Sequence, residues 1–177
     1  MATEVELFTL VKGILDAGLA AQSLSSIVVK RGNQSTQQGI VNGPAVYFWP
    51  IDGVKYGFQG REDKYNSTAG TFTHTEKSRH ETTIQFNCLA TTGDNQTTSA
   101  DIASICAALL QTESAIATMV SADVGVLRIG NIRNLVFLDD QNNYKHSASF
   151  DAVFVHHRKL IATVPAIESI TFNADRV

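Results

Sequence analysis

Cysteine is scarce in this sequence, and that scarcity limits what can hold the fold together. The chain has 177 residues but only two cysteines, Cys88 and Cys106. Both lie in apolar periodic segments, where a cysteine usually serves as a small buried hydrophobe. A chain of this length can bury roughly 70% of its unfolded surface around one core, so it needs neither a disulfide framework nor a structural metal. With no internal repeat and no break in composition, the chain is predicted to form a single domain over residues 1–177.

Charge and long apolar runs are also sparse. Charged residues make up 18% of the chain and the formal net charge is -3. Binding a phosphate backbone by charge needs a broad positive field, which this composition does not supply. No apolar run approaches the ~20 residues that span a bilayer, and the N-terminus has no basic region followed by an apolar stretch. We therefore expect a protein that is synthesised in a cytoplasm and stays out of membranes.

The sequence has none of the usual catalytic motifs. It contains neither a Gly-Lys-Ser/Thr phosphate loop nor a Gly-x-Ser-x-Gly elbow. His156 and His157 are neighbours in a predicted strand, so they point to opposite faces and cannot readily hold one metal ion. A rival hypothesis is a small ligand-binding domain or enzyme that uses His80, Glu81 and Asp151 in a deep pocket. We predict no catalytic residue, no metal and no cofactor.

Two segments predict helices. The capping-box pattern Thr3 to Glu6 precedes apolar residues at helical spacing, which predicts a helix over about residues 4–21. A second cap pattern, Thr98 to Asp101, precedes an apolar helical face that continues to about Ser121. We expect the two helices to lie side by side on one face of a sheet.

Strand signals occupy the rest of the chain. Even-numbered residues from His80 to Cys88 fall on one face, and the polar odd-numbered residues fall on the other. The same period recurs over 147–157, and shorter strands are predicted at 27–29, 126–129 and 131–138. A cluster of Asp, Gln and Asn over 139–143 predicts a turn. The order predicts an α+β fold, with a mainly antiparallel sheet and two helices packed on one face.

Three segments remain between or after these elements. Aromatic stretches flank Asp52-Gly53, a pair favoured in two-residue hairpin turns, and predict a tight hairpin there. Residues 60–78 are polar and too long for an ordinary connection, which predicts a long arm or loop that is disordered or ordered only against a partner. The apolar residues of 160–177 predict a C-terminal extension that docks on the sheet.

This order of elements, with the strand Arg79–Ala90 and the helix start Thr98-Ser-Ala-Asp101, resembles the tail-terminator group of tailed-bacteriophage neck proteins, also called tail-completion proteins. The likeness covers about residues 4–172. It implies a tail-terminator-like fold and a homo-oligomeric ring, commonly a hexamer, that ends the tail tube or sheath and meets the head connector. DNA would pass through the lumen without specific binding, and the protein would reside in the virion neck. Another tail or head-completion subunit, such as a tube protein or connector adaptor, is the close alternative.

Contacts with subunits or partners are predicted at two places, the polar arm and the end of the last long strand. A closed ring needs a head-to-tail interface, which sheet edges and faces with mixed aromatic and polar side chains can supply. The predicted interface residues are Arg61, Glu62, Asp63, Tyr65, His157, Arg158 and Lys159.

Overall fold

The computed structural model describes residues 4–32, 43–90, 97–138 and 144–166. A six-stranded sheet carries three helices in this part of the chain, which confirms the predicted α+β class and the mainly antiparallel sheet. The predicted turn at 139–143 and the last residues of the predicted C-terminal extension lie outside the described residues. The elements are α1 Glu4–Ala21, β1 Val28–Arg31, β2 Ala45–Asn66, β3 Thr71–Leu89, α2 Ser99–Leu109, α3 Glu113–Ser121, β4 Val124–Ile129, β5 Arg133–Leu138 and β6 Tyr144–Pro165.

The sheet is built around three long strands. Its order is β1-β2-β3-β6-β4, and β5 also pairs with β6. The pair β1–β2 is parallel, whereas all the other pairs are antiparallel. Strands β2 and β6 have 22 residues each and β3 has 19, several times the usual strand length of about 5–6 residues. Because of that length the three strands continue beyond the part of the sheet that the helices cover.

Helix α1 has the predicted bounds and buries the predicted stripe. Leu7, Val11 and Leu15 are fully buried at a spacing of four residues, which brings them to one side of the helix. Phe8 continues the stripe, and its ring lies 5.9 Å from that of Phe48 on β2. The Arg31 guanidinium lies over the Phe8 ring, 4.2 Å from its centre. Helix α1 therefore closes the core over the first two strands.

The second predicted helix is in fact two helices. Thr98 caps α2 with the expected capping box, in which Asp101 is the reciprocal partner. The helix then ends at Leu109, and the Thr112 hydroxyl accepts a hydrogen bond from the Ala115 amide to begin α3. The prediction of one helix up to Ser121 was wrong because a threonine that can cap a new helix competes with continuing the old one.

Among the described residues, no single helix is both long and apolar enough to cross a membrane. Helices α2 and α3 reach that length and composition only when taken together, and their axes are bent by 56°.

Alternation along β3 and β6 produces the core as predicted. Ile84, Phe86 and Cys88 of β3 are fully buried, as are Phe150 and Phe154 of β6. The Phe86 ring stacks on Phe150 at 4.8 Å between ring centres. On the opposite face, the small side chains Ser147 and Ser149 are also buried, because β6 has β3 on one side and β5 on the other at this point.

Both cysteines belong to this core. Cys88 and Cys106 are buried free thiols, as the sequence predicts. A hydrogen bond with Cys106 and then burial raise the pKa of the Cys88 thiol. A raised pKa keeps a thiol protonated and unreactive at neutral pH, so Cys88 acts here as a packed apolar side chain.

The predicted hairpin at Asp52-Gly53 is wrong. Strand β2 runs through this pair, which lies at a register shift against β3 after Pro50. Gly53 does not adopt a positive φ, whereas Gly70 does, at 59°. The chain reverses at 67–70, where the Asn66 side chain accepts hydrogen bonds from the Thr68 and Ala69 amides. Pairing with β3 on both sides of Asp52-Gly53 overrides the local turn preference and turns it into a bulge.

Candidate functional site

The distal end of the three long strands forms a separate extension that we call the arm. It consists of Gly60–Asn66 of β2, Thr71–Lys77 of β3 and Lys159–Pro165 of β6, held in continuous register. Seven residues per strand give a length of about 23 Å. Residues 60–78, predicted to be a long arm or loop that is disordered or ordered only against a partner, instead belong to strands β2 and β3 and to the turn between them. The predicted C-terminal extension supplies the third strand of the arm.

Exposure increases sharply where β2 leaves the body of the protein. Every residue from Ile51 to Asn66 is exposed. No arm residue belongs to the hydrophobic core. The core residues nearest to the arm are Ile84 on β3 and Phe154 on β6. The arm is thus a sheet that keeps its backbone pairing without a core beneath it.

Register brings the two groups of predicted interface residues together. Arg61, Glu62 and Asp63 lie on β2 of the arm and pair with Glu76, Thr75 and His74 of β3. Tyr65 follows near the tip and pairs with Phe72. At the base, Lys159 pairs with Lys77, Arg158 with Ser78 and His157 with Arg79. Two segments that are almost a hundred residues apart in the sequence therefore contribute to one element.

The tip of the arm is apolar on one face. The Tyr65 and Phe72 rings lie 5.0 Å apart, and Phe72 is paired with Val164 of β6. Tyr65 is 49% exposed and Phe72 36%. Cross-strand aromatic pairs stabilise an isolated sheet, and when half exposed they are also a frequent feature of protein interfaces.

A polar cluster lies next to this tip on the same face. The Asp63 carboxylate accepts a hydrogen bond from His74 and another from Arg61, whose Nε is 3.1 Å away. The hydrogen bonds from His74 and from Arg61 hold the pKa of Asp63 below its ordinary value. Asp63 stays ionised at neutral pH, so the cluster offers paired charges that water still reaches.

The base of the arm is tied to the body by Asp123, the residue that joins α3 to β4. Its carboxylate lies 3.0 Å from His157 Nδ1, 3.6 Å from Lys77 Nζ and 3.8 Å from Lys159 Nζ. Burial raises the pKa of Asp123, but the hydrogen bond from His157 and the charges of His157, Lys77 and Lys159 outweigh it, so the net shift is downward. Two of the predicted residues, His157 and Lys159, thus have a structural role within the subunit.

The paired histidines of the last strand diverge, as predicted. His156 is buried, and its Nε2 lies 3.0 Å from Thr82 Oγ1, whereas His157 faces Asp123 at the surface. In the part of the chain that the structure describes, no group of three or more His, Cys, Asp or Glu side chains could hold a metal ion.

The rival enzymatic hypothesis required His80, Glu81 and Asp151 to converge, and they do not. His80 and Glu81 are consecutive strand residues on opposite faces. Glu81 pairs with Val155, four residues from Asp151 on β6, which is about 13 Å along a strand. Asp151 is also held by the Arg133 guanidinium, with both oxygens 2.8 Å from Nη2. A surface depression of about 500 Å³ includes Glu81 but contains neither His80 nor Asp151.

Sequence reasoning missed two exposed features of β2 and β6. Phe58 is fully exposed on the irregular stretch between Tyr56 and Gly60, where Gly57 has a φ of 69°. Leu160 and Ile161 pair with β3, yet their side chains are 60% and 64% exposed on the arm. The glycine after Tyr56 is a signal for the irregularity at Phe58, because glycine adopts positive φ without strain.

Comparison with known proteins assigns the chain to a class that the fold alone does not define. Residues 6–166, which span nearly all the described elements, match a family model of phage head–tail gateway proteins, which are structural proteins of the phage neck. The family is described as E217 gateway protein gp29, and this chain belongs to it. No curated protein matches the chain.

The family confirms the coarser part of the resemblance drawn from the sequence. A structural role in the phage neck, at the junction of head and tail, follows from the match. The narrower assignment to tail terminators goes beyond this finding.

Proposed function

We propose that this chain forms a closed ring in the phage neck, which ends the tail tube or sheath on one side and meets the head connector on the other. Copies of the chain would contact one another through the arm. A hexamer is the expected ring, and DNA would pass through its lumen.

The observation that carries this proposal is the arm itself. A core-free extension of about 23 Å, in which every β2 residue from Gly60 to Asn66 is exposed, is costly for an isolated subunit, because exposed strand edges and aromatic side chains invite association. In a ring, each subunit contacts two neighbours through two different surfaces. An arm that extends from the body can reach a neighbour without altering the core.

Charge is compatible with a DNA channel. The formal net charge of the chain is -3, and the arm carries Arg61 and Lys64 beside Glu62 and Asp63. A lining with balanced charge releases few counterions from DNA and therefore does not retain it. This supports passage of DNA rather than binding.

The test is to remove the arm hairpin and keep the body. Residues 61–76 are replaced by Asn-Gly, so that Gly60 and Lys77, which are paired across β2 and β3, are joined by a two-residue turn. We expect a folded subunit that is a monomer at concentrations where the wild type forms rings by electron microscopy, and that fails to cap purified tails.

The matched control is Lys12→Gln/Asp16→Asn on α1, which removes an exposed ion pair away from the arm. It should form rings and cap tails as the wild type does. Rings with a normal yield from the arm-deleted protein would contradict the proposal. Long stacks formed by the wild type would instead indicate a tube subunit. Failure of both the wild type and the control variant to enter particles would exclude a neck role.

A further inference from the structure

The two outer strands of the arm each have one unpaired edge. Strand β3 is paired on both sides from Thr71 to Leu89, with β2 and with β6. On the outer side, β2 pairs with β1 only over 45–48. On its outer side, β6 pairs with β5 over 144–149 and with β4 over 152–156. Within the described ranges, the edge of β2 beyond the body and the edge of β6 over 157–165 have no strand beside them.

The middle of the β6 edge, between Lys159 and Pro165, lacks the features that keep an exposed edge from pairing. Residues 160–164 have the sequence Leu-Ile-Ala-Thr-Val, without a charge, a glycine or an internal proline. Ile161 is 64% exposed and Val164 37%. Natural sheets protect free edges with charges, bulges or prolines, so an unprotected edge of this composition is expected to pair with another strand.

The two edges are complementary in direction. Strands β2 and β6 are both antiparallel to β3 and therefore run the same way. A second copy placed beside the first, by rotation about an axis along the arm, brings its β2 edge against the β6 edge in parallel. Each copy then pairs through its β6 edge with one neighbour and through its β2 edge with the other, which gives the head-to-tail interface of a ring. Pairing β6 with β6 of another copy would leave both β2 edges exposed.

The charges on the two edges also favour pairing between copies of this chain. The β6 edge begins with Arg158 and Lys159, and the β2 edge carries Glu62 and Asp63. Through β3, Glu62 is level with Thr75 and Ile161 of its own arm. A stagger of two residues between copies therefore places Glu62 of the next copy beside Lys159 of the first, on the same face of the sheet.

We infer that the β6 edge of one copy pairs in parallel with the β2 edge of the next copy, so that the arms of a ring form one closed sheet. This inference rests on the proposed function, since only a closed ring satisfies every edge. The partner is a second copy of this chain, and the contact is a backbone ladder supported by the Leu160, Ile161 and Val164 side chains.

Disulfide trapping in assembled protein tests the pairing. Two double variants, Glu62→Cys/Ile161→Cys and Lys64→Cys/Ile161→Cys, cover no stagger and a stagger of two. Within one copy the two positions are separated by β3, a distance of about 9.6 Å or more, which exceeds the ~7 Å limit for a disulfide. In adjacent paired strands they are about 4.8 Å apart. The native thiols are buried, so the bonds that form on oxidation report on contacts between copies.

We expect one of the double variants to give a ladder on non-reducing gels that extends to the full ring, both in purified rings and in particles from infected cells. The control Asp63→Cys/Ile161→Cys places the thiols on opposite faces and should give no ladder. Rings without a ladder from either double variant would overturn the inference and leave the proposed function intact. Dimers from Ile161→Cys alone would overturn it in favour of β6–β6 pairing. Absence of rings and of the chain from particles would reject the proposed function as well.

Discussion

His80 and His156 lie on neighbouring strands with their rings stacked, 5.8 Å apart between centres and inclined by 24°. His80 Nε2 lies 3.0 Å from Ser78 Oγ, and His156 Nε2 lies 3.0 Å from Thr82 Oγ1. The pair marks the point where the buried sheet gives way to the arm. Protonation of His80 would place a positive charge beside His156 at the root of the arm.

We predict that acid weakens the folded state through His80. Burial, and then the positive charges of Arg158 and Lys55, hold the pKa of His80 below its ordinary value of 6.5. Above about pH 6.5 neither the folded nor the unfolded state protonates this ring, and its contribution is constant. As the pH falls below that value, the unfolded chain takes up a proton that the folded chain resists, so the free energy of unfolding decreases.

Urea unfolding of wild type and His80→Gln between about pH 7.5 and pH 5.5 measures this effect. The variant should show a shallower loss of stability with acid. Arg158→Gln, which removes one of the two positive charges, should lie between them. An unchanged slope in His80→Gln would contradict the assignment.

We predict that replacing phenylalanine with alanine lowers the free energy of unfolding strongly at Phe86 and hardly at all at Phe58. Phe86 is fully buried and stacks on Phe150 on one side and Phe48 on the other. Phe86→Ala should lower the free energy of unfolding by about 3–5 kcal/mol, through lost burial and the cavity left behind. Phe58 is fully exposed, so Phe58→Ala should change that free energy by less than about 0.5 kcal/mol.

We also predict that Phe58→Ala affects assembly of the particle. An exposed aromatic on an irregular strand is suited to anchor a partner, so we expect Phe58→Ala to reduce incorporation even though the subunit is stable. Equal incorporation of Phe58→Ala and wild type, measured by immunoblot of purified particles, would show that Phe58 has no partner in the virion.

Removal of the Asp123 carboxylate should loosen the base of the arm and leave the body intact. Its side chain is 44% exposed, so solvent screens the contacts with Lys77, His157 and Lys159, and each is worth less than about 1 kcal/mol. Asparagine also tolerates the φ of 59° at this position. Asp123→Asn should therefore lower global stability only slightly.

Hydrogen exchange measures the local effect. Amides at 77–79 and 157–159 should exchange faster in Asp123→Asn, while those of α1 should not change. Asp16→Asn, which removes an exposed partner of Lys12 on α1, is the control. Because the pKa of Asp123 is lowered in the folded state, the stabilisation it supplies is present above the ordinary value of 3.8 and is lost as the pH falls below it. Equal exchange at 77–79 in wild type and Asp123→Asn would show that Asp123 does not hold the arm.

Local sequence patterns predicted helices and strands correctly where a single structural preference applied. The apolar stripe of α1, the capping box at Thr98 and the alternation from His80 to Cys88 all appear as expected. Each depends on residues a few positions apart, and therefore on geometry that the chain carries with it. The patterns failed at Asp52-Gly53, where strand pairing overrides a turn preference, and at Thr112, where capping of a new helix competes with continuing the old one.

The arm shows the same contrast for the candidate site. Polarity over 60–78 predicted a long arm or loop, where the structure has paired strands, and the charged residues 157–159 were predicted as contacts with it. Nothing in the sequence indicated that these two segments meet, because Lys77 and Lys159 become neighbours only through the pairing of β3 with β6. Leu160 and Ile161 join the sheet by pairing with β3, but their exposure was not foreseen, since apolar composition does not reveal whether a surface lies opposite.

By itself the sequence determined the α+β class, the faces of α1 and of the core strands, and the buried cysteines, because hydrophobic periodicity and capping act over one or two turns or along one strand. Only the tertiary structure decided that three strands extend together beyond the core, where the chain reverses, and which edges are left without a neighbour. Those features depend on strand register between residues far apart in the chain, and register is set by long-range pairing rather than by local preference.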